Sequence, residues 1–97
     1  MVEVNEYFDG KVKSFVVNSS QSRKTVGVME PGEYEFNTQT KETMTVVAGE
    51  LSVYFPEYDE WEDFGMGASF EVPARSKFKV KVAQDVAYLC EYAPDSA

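Results

Sequence analysis

The sequence of 97 residues contains no histidine, so it lacks the side chain on which most transition-metal sites and many acid–base mechanisms depend. It contains a single cysteine, Cys90, so an internal disulfide is impossible and nothing indicates an oxidising compartment. No run approaches the roughly 20 apolar residues of a membrane span, and the first ten residues do not resemble a signal peptide. We therefore expect a cytoplasmic protein.

Positive charge is also scarce. Nine lysines and arginines stand against 17 acidic residues, which gives a net charge of −8. This balance argues against polymeric nucleic acid and anionic membranes as partners, because both require a basic face. A small phosphate-bearing molecule stays compatible with the sequence, provided that a local cluster of cations opposes the overall field.

Short alternating apolar runs separated by turn residues extend along the whole chain, and no window shows a helical period. Strands are predicted at 11–17, 25–29, 34–36, 43–48, 51–55, 70–72, 78–82 and 88–92. A proline–glycine turn is expected at 30–33 and a polar connection at 59–67. The sequence therefore predicts one all-β domain over residues 1–97, built as a sandwich or barrel, and a homo-oligomer is reasonable at this size.

Two spacings resemble the sequence motifs of the cupins. Glu42 is followed by six residues and Gly49, as at the end of the first cupin motif. Gly67 is followed by five residues and Pro73, as at the start of the second. The resemblance implies a jelly-roll β-barrel of the cupin type, a fold that often pairs as a homodimer.

The metal ligands of these two motifs are missing from the sequence. The motif histidines fall on Phe36, Thr38 and Phe78, and Glu42 alone remains of the ligand set. One carboxylate does not hold a transition metal, which usually needs three or four protein ligands. We therefore expect neither a metal nor another cofactor.

A closer resemblance covers nearly the whole chain. It is carried by Asn5-Glu6-Tyr7-Phe8, Gly10-Lys11-Val12-Lys13-Ser14, Val26-Gly27-Val28-Met29, Gly32-Glu33-Tyr34, Glu42-Thr43-Met44-Thr45-Val46 and Tyr88-Leu89-Cys90. These segments are similar to the cupin-type pyrimidine/purine nucleoside phosphorylases. The resemblance implies broad-specificity phosphorolysis of nucleosides to free base and ribose 1-phosphate, with nucleosides and inorganic phosphate as substrates. The family often has Gly-His after Pro73, where this chain has Ala74-Arg75.

Phosphate requires fixed cationic donors, and two segments offer them. Arg75, Ser76 and Lys77 follow the Pro73 turn, where a guanidinium fork and a mobile ammonium can both reach an anion. Arg23 and Lys24 form the second candidate. The alternative for both segments is that their charges are simply solvated in loops.

Glu42 is the second catalytic candidate, beside Arg75. A buried carboxylate without a metal must be hydrogen-bonded, paired or protonated, and this one could bind sugar hydroxyls or stabilise a cationic sugar. Its alternative is a structural remnant paired with a lysine. Thr38 could hydrogen-bond the substrate, or it could cap its own backbone.

The nucleobase requires a flat apolar surface. Phe36 and Phe78 could stack on any base, because every base has a π-face, while Tyr34, Tyr88 and Tyr92 could line the mouth of the barrel. The alternative for these rings is ordinary core packing. Two other functions stay open: a non-catalytic cupin that binds a small anion, and a purely structural dimer module.

Overall fold

The computed structural model describes residues 2–18 and 23–94, which form ten strands and no helix. The strands are β1 (Val4–Tyr7), β2 (Val12–Asn18), β3 (Arg23–Met29), β4 (Gly32–Asn37), β5 (Glu42–Ala48), β6 (Leu51–Phe55), β7 (Glu60–Phe64), β8 (Ser69–Val72), β9 (Lys77–Val82) and β10 (Val86–Tyr92). In these two ranges, no helix is long and apolar enough to cross a membrane.

The strands form two antiparallel sheets. The larger has the order β1-β2-β3-β10-β5-β8 and the smaller has the order β4-β9-β6-β7. The all-β prediction is confirmed, and the architecture is that of a cupin. The two sheets do not close into a continuous barrel. The larger sheet has β1 and β8 at its edges and the smaller has β4 and β7, and among the described residues no backbone hydrogen-bond ladder joins one sheet to the other.

Alternation along the strands builds the core between the sheets. In β9, Phe78, Val80 and Val82 are buried, whereas the lysines between them are exposed. The inner face of the large sheet contributes residues such as Met29 and Val86. Because each buried branched or aromatic side chain contributes roughly 1.5–3 kcal/mol, this double layer is the main stabilising element of the fold.

Two strands were not predicted from the sequence. The segment 59–67, expected to be an irregular connection, contains β7, which is paired with β6 along its whole length. Its sequence is polar because it is an exposed edge strand, and Trp61 packs against Tyr54 and under the Lys81 ammonium on its outer face. The short strand β1 pairs with β2 in the same way and also escapes a pattern search.

The outer face of the large sheet carries an apolar patch over β1, β2 and β3. Val4, Phe15 and Val26 are aligned across β1, β2 and β3, and each is between 42% and 50% exposed. Charged side chains on this face form ion pairs, such as Lys13 with Glu6 at 3.6 Å. The charges on this face therefore balance one another, whereas the chain as a whole is acidic.

Candidate active site

A cavity of about 310 Å³ lies between the two sheets, along the free edge of β4. One side of it is an aromatic wall, which we define as Phe8, Phe36 and Phe78. The opposite side is a polar wall, which comprises Ser14, Glu42, Tyr88, Cys90 and Tyr92 from the inner face of the large sheet. A cavity of this size, apolar on one side and polar on the other, suits a small amphipathic ligand.

The polar wall is built by strand register. Tyr88, Cys90 and Tyr92 alternate along β10 and therefore share the inner face of the sheet. Tyr92 is paired with Glu42 on β5, and the Cys90 thiol donates to Glu42 Oε1 at 3.4 Å. The pairing of β5 with β10 thus places the Glu42 carboxyl group beside a thiol and a phenol.

Burial dominates the electrostatics of Glu42. Desolvation raises the pKa of its carboxyl group above the ordinary value, and the hydrogen bond from Cys90 opposes that rise. The ionised carboxylate is therefore less well solvated than it would be in water. A cation that forms nearby would be stabilised by this carboxylate more strongly than by an exposed one.

The neighbouring acids stay protonated at neutral pH. Burial raises the pKa of Tyr88 to about 12. Burial likewise raises the pKa of the Cys90 thiol and of the Tyr92 phenol, whose hydroxyl lies 3.2 Å from Thr25 Oγ1. These groups can therefore serve as hydrogen-bond donors, whereas Cys90 is a poor nucleophile because its thiolate is disfavoured.

Gly27 makes room for the Tyr88 ring. It lies between Ser14 and Tyr88 in the sheet, and a Cβ at this position would meet Tyr88 Oη at 2.6 Å and the Lys13 carbonyl oxygen at 2.7 Å. The missing side chain lets the phenol cross β3 and interact with the Ser14 hydroxyl. The position of Tyr88 in the cavity therefore depends on a glycine in the neighbouring strand.

Gly27→Ala is expected to lower the free energy of unfolding by about 1–3 kcal/mol, because the new methyl group overlaps a ring and a backbone carbonyl. The measurement is chemical denaturation of the two proteins. Gly65→Ala is the control, since a Cβ there meets nothing within 4 Å, and it should change stability by less than about 1 kcal/mol. Equal effects of the two substitutions would contradict this account of Tyr88.

The aromatic wall has a regular geometry. Phe36 and Phe78 are stacked, with ring centroids 5.5 Å apart and planes at 29°. Phe8 meets Phe36 edge-on at 5.6 Å and 88°. Phe36, Phe78 and Tyr88, named from the sequence as contacts for the base, thus all line the cavity, as does Glu42.

Two other predicted contacts are engaged elsewhere. Tyr34 is buried in the core, and its hydroxyl donates to the Glu30 carbonyl oxygen at 2.5 Å across the turn before β4. The Thr38 hydroxyl donates to the Pro73 carbonyl oxygen at 2.7 Å and accepts from the Ser76 backbone N–H at 3.0 Å. Thr38 therefore joins two loops, and neither side chain lines the cavity.

The predicted phosphate-binding residues lie around the cavity rather than on its wall. Arg75 is exposed in the β8–β9 turn with φ of 51°, Ser76 is bonded to Thr38, and Lys77 is exposed at the start of β9. Lys24 pairs with Glu91 at 3.8 Å. Arg23 contacts a cavity residue, because its guanidinium carbon lies over the Tyr92 ring at 5.4 Å from the centroid.

These cations nevertheless share one end of the molecule. The pairings Lys24–Glu91, Tyr92–Glu42 and Glu42–Val72 align the ends of β3, β10, β5 and β8. Thr38 and Pro73 attach the adjoining end of β4 to this edge. Five of the nine lysines and arginines lie here, and we call them the cationic end: Arg23, Lys24, Lys41, Arg75 and Lys77.

Tyr92, expected with Tyr88 at the mouth of the barrel, also lines the cavity. Several other cavity residues were not named from the sequence as site residues: Tyr7, Phe8, Ser14, Met29, Glu35, Asn37, Met44 and Cys90. Cys90 could have been found, because a strand period of two places it on the same face as Tyr88. Phe8 belongs to a turn, where periodicity carries no information.

The donors for a metal do not converge. Within residues 2–18 and 23–94, no group of three histidine, cysteine, aspartate or glutamate side chains is arranged to hold a metal ion. The acid–base neighbours of Glu42 on the polar wall are a thiol and phenols with raised pKa values.

Comparison with known proteins identifies the family and agrees with the fold. Residues 2–92 match the family model described as pyrimidine/purine nucleoside phosphorylase. A relative of that name from Pseudomonas entomophila is 58% identical over 92 residues, which cover 95% of this chain and 98% of the relative. The crystal structure of a protein of unknown function from Vibrio parahaemolyticus is 44% identical with a TM-score of 0.92, covering 96% of this chain and 99% of that one.

A more distant similarity concerns the fold alone. A cupin superfamily protein from Desulfitobacterium hafniense has a TM-score of 0.75 at 16% identity, over 94% of this chain and 84% of that one. The family match, the identity to the relatives and the shared architecture lead to one assignment. The chain belongs to the pyrimidine/purine nucleoside phosphorylase family and has its cupin fold.

Proposed function

We propose that the protein catalyses phosphorolysis of purine and pyrimidine nucleosides to the free base and ribose 1-phosphate, without a metal ion. The observation that carries this proposal is the composition of one cavity, which has an aromatic wall, a half-buried carboxylate and a cationic end beside it. These three features correspond to the three parts of the reaction: the base, the sugar and phosphate.

The chemistry sets the demands on the site. A phosphate oxygen forms a bond to the anomeric carbon while the bond from that carbon to the base nitrogen breaks. The bonding electron pair leaves with the base, which takes up the proton that the attacking hydrogen phosphate gives up. Positive charge develops on the sugar in the transition state, as the base leaves. Positioning of the reactants and stabilisation of that charge therefore supply the catalysis.

Glu42 is the group that meets the developing positive charge. Burial makes its carboxylate a poorly solvated anion, so a sugar cation beside it restores the missing stabilisation in the transition state. The hydroxyl groups of Ser14, Tyr88 and Tyr92 lie on the same wall and are suited to bind the ribose hydroxyls. Phosphate approaches from the cationic end.

Broad specificity follows from the nature of the aromatic wall. Strong discrimination between bases requires buried polar groups that lose their partners when the wrong base binds. Phe8, Phe36 and Phe78 offer shape and π-faces but no such groups. Both purines and pyrimidines should therefore be accepted.

The test incubates the purified protein with adenosine, guanosine, uridine and cytidine, each with and without inorganic phosphate, and measures the free base. We expect base release from both classes only when phosphate is present, and unchanged rates after exhaustive treatment with EDTA. Release without phosphate would indicate hydrolysis, and loss of activity restored by a divalent ion would contradict the metal-free mechanism. Tight anion binding with no turnover would favour the non-catalytic alternative.

The homodimer expected from the sequence stays a prediction. The apolar outer face around Phe15 and Val26 is the surface that we propose a second copy covers, since its charges are paired while the chain as a whole carries −8. That face lies on the opposite side of the large sheet from the cavity.

A further inference from the structure

The turn between β1 and β2 carries an aromatic ring at the edge of the cavity. Phe8 is the first residue after β1, it lines the cavity, and it is 42% exposed. Its ring contacts Phe36 edge-on and Tyr34 at 4.9 Å between centroids. Phe8 is therefore the outermost ring of the aromatic wall, and unlike Phe36 and Phe78 it belongs to a turn.

The backbone at this position is unusual for a phenylalanine. Phe8 and Asp9 have φ of 53° and 57°, and Gly10 follows with φ of 84°. The Gly10 N–H donates to the Tyr7 carbonyl oxygen at 3.1 Å, so Phe8 and Asp9 are the central residues of a tight hairpin turn. Two positive φ values in such a turn favour asparagine and glycine, and a bulky side chain there costs conformational free energy. Residues with a strained backbone cluster at sites that clamp ligands, and Phe8, whose backbone is strained, lines the cavity.

We propose that Phe8 is a base-contacting residue that covers the bound nucleobase from the mouth of the cavity. This inference rests on the proposed function and deepens it by naming a specificity-determining residue. A base that lies against the aromatic wall meets Phe36 and Phe78 on rigid strands and Phe8 on a turn. Because Phe8 lies in a turn outside the paired strands, its ring can adjust to a one-ring pyrimidine or a two-ring purine without rearranging either sheet.

Three aspects of the wall support a role in binding rather than in folding alone. Phe8 leaves 42% of its surface in solvent, whereas Phe78 in the same wall leaves 2%. A residue that served only the core would gain more from an unstrained backbone and a deeper position. The Phe8 ring is edge-on to Phe36 and tilted at 49° to Tyr34, so neither contact is a parallel stack that covers a face of the Phe8 ring.

The experiment measures equilibrium binding of adenosine and of uridine by calorimetry, without phosphate, so that it does not depend on turnover. Phe8→Leu keeps an apolar side chain of similar size and removes the π-face, while Phe8→Asn suits the turn and removes the ring. Loss of base stacking should raise the Kd for adenosine by about 5- to 100-fold in both variants. The rise for uridine should be smaller, because a pyrimidine has less surface to stack, and Phe8→Tyr should bind like the wild type.

Tyr58→Asn is the matched control, since Tyr58 is also an exposed aromatic residue in a hairpin turn, the one between β6 and β7, and does not line the cavity. It should leave both Kd values unchanged. Wild-type affinity in Phe8→Leu overturns the inference, and so does an equal loss for both nucleosides in Phe8→Leu and Tyr58→Asn. If the wild type binds nucleosides with the expected dependence on Phe8 but releases no base when phosphate is added, the proposed function fails while this inference stands. Failure of the wild type to bind either nucleoside overturns both.

Discussion

Glu42→Gln is expected to lower kcat/KM for nucleoside phosphorolysis by about 10²- to 10³-fold, the usual effect of removing one group aimed at transition-state charge. The amide keeps the shape of the side chain and can still accept the hydrogen bond from Cys90. It cannot supply the negative charge that stabilises a cationic sugar. Initial rates with saturating phosphate and varied nucleoside measure the effect, and most of the loss should appear in kcat.

The same substitution should not weaken the fold. The direction of its effect on the free energy of unfolding follows from the pKa of Glu42. Burial raises the folded-state pKa of Glu42 above its ordinary value of 4.5. A group of this kind contributes stability at low pH and loses that contribution as the pH rises through its folded-state pKa. Glutamine does not titrate, so the stability of Glu42→Gln relative to the wild type should increase between pH 4 and pH 7.

Denaturation curves at several pH values separate this result from simple damage to the structure. Glu60→Gln is the control, because it removes an exposed carboxylate from the edge strand β7 and should alter neither activity nor the pH dependence. A Glu42→Gln enzyme that retained more than about a tenth of the wild-type kcat/KM would exclude electrostatic catalysis by this carboxylate.

The sequence contained enough information to predict the layers of the fold. Strands such as β8 and β9 have one buried and one exposed face, so the alternation of their apolar residues can be recognised from the sequence alone. The polar edge strand β7 could not be predicted from the sequence, because its stability comes from pairing with β6 and from contacts such as Trp61 with Tyr54. The alternation of apolar residues in a sequence reflects burial of one strand face, so an edge strand with little buried surface shows only a weak alternation.

The candidate site divides in a similar way. Glu42, Phe36 and Phe78 occupy positions fixed by strand register, and the cupin spacing was sufficient to direct them into the cavity. Thr38 shared that spacing, but its hydroxyl is taken by two loop groups that lie 35 and 38 residues away in sequence. Phe8 reaches the site through a turn with positive φ, and no strand or helix period predicts such a conformation. Sequence patterns thus locate the site residues on strands better than those in turns and loops.

Arg23→Ala is expected to weaken the use of phosphate by about 10- to 150-fold in kcat/KM for phosphate, as loss of a charge-assisted hydrogen bond would. The chain carries −8 overall, so phosphate must be attracted by charges close to its binding position. Arg23 belongs to the cationic end and already lies over the ring of Tyr92, which lines the cavity beside Glu42. Arg75→Ala should act in the same direction with a smaller effect, because Arg75 is exposed in the β8–β9 turn and does not line the cavity.

Rates measured over a range of phosphate concentrations, with nucleoside saturating, decide this prediction. Lys79→Ala is the control, since it removes an equal charge from the outer face of the small sheet, where the ammonium lies over Tyr54. An effect of Arg23→Ala that exceeds that of Lys79→Ala separates local binding from the change in net charge. Arg23→Lys should recover only part of the loss, because an ammonium lacks the planar fork that binds two oxygens. If Arg23→Ala and Arg75→Ala both leave the phosphate dependence unchanged, the anion is held away from the cationic end, and the assignment of this end to phosphate is wrong.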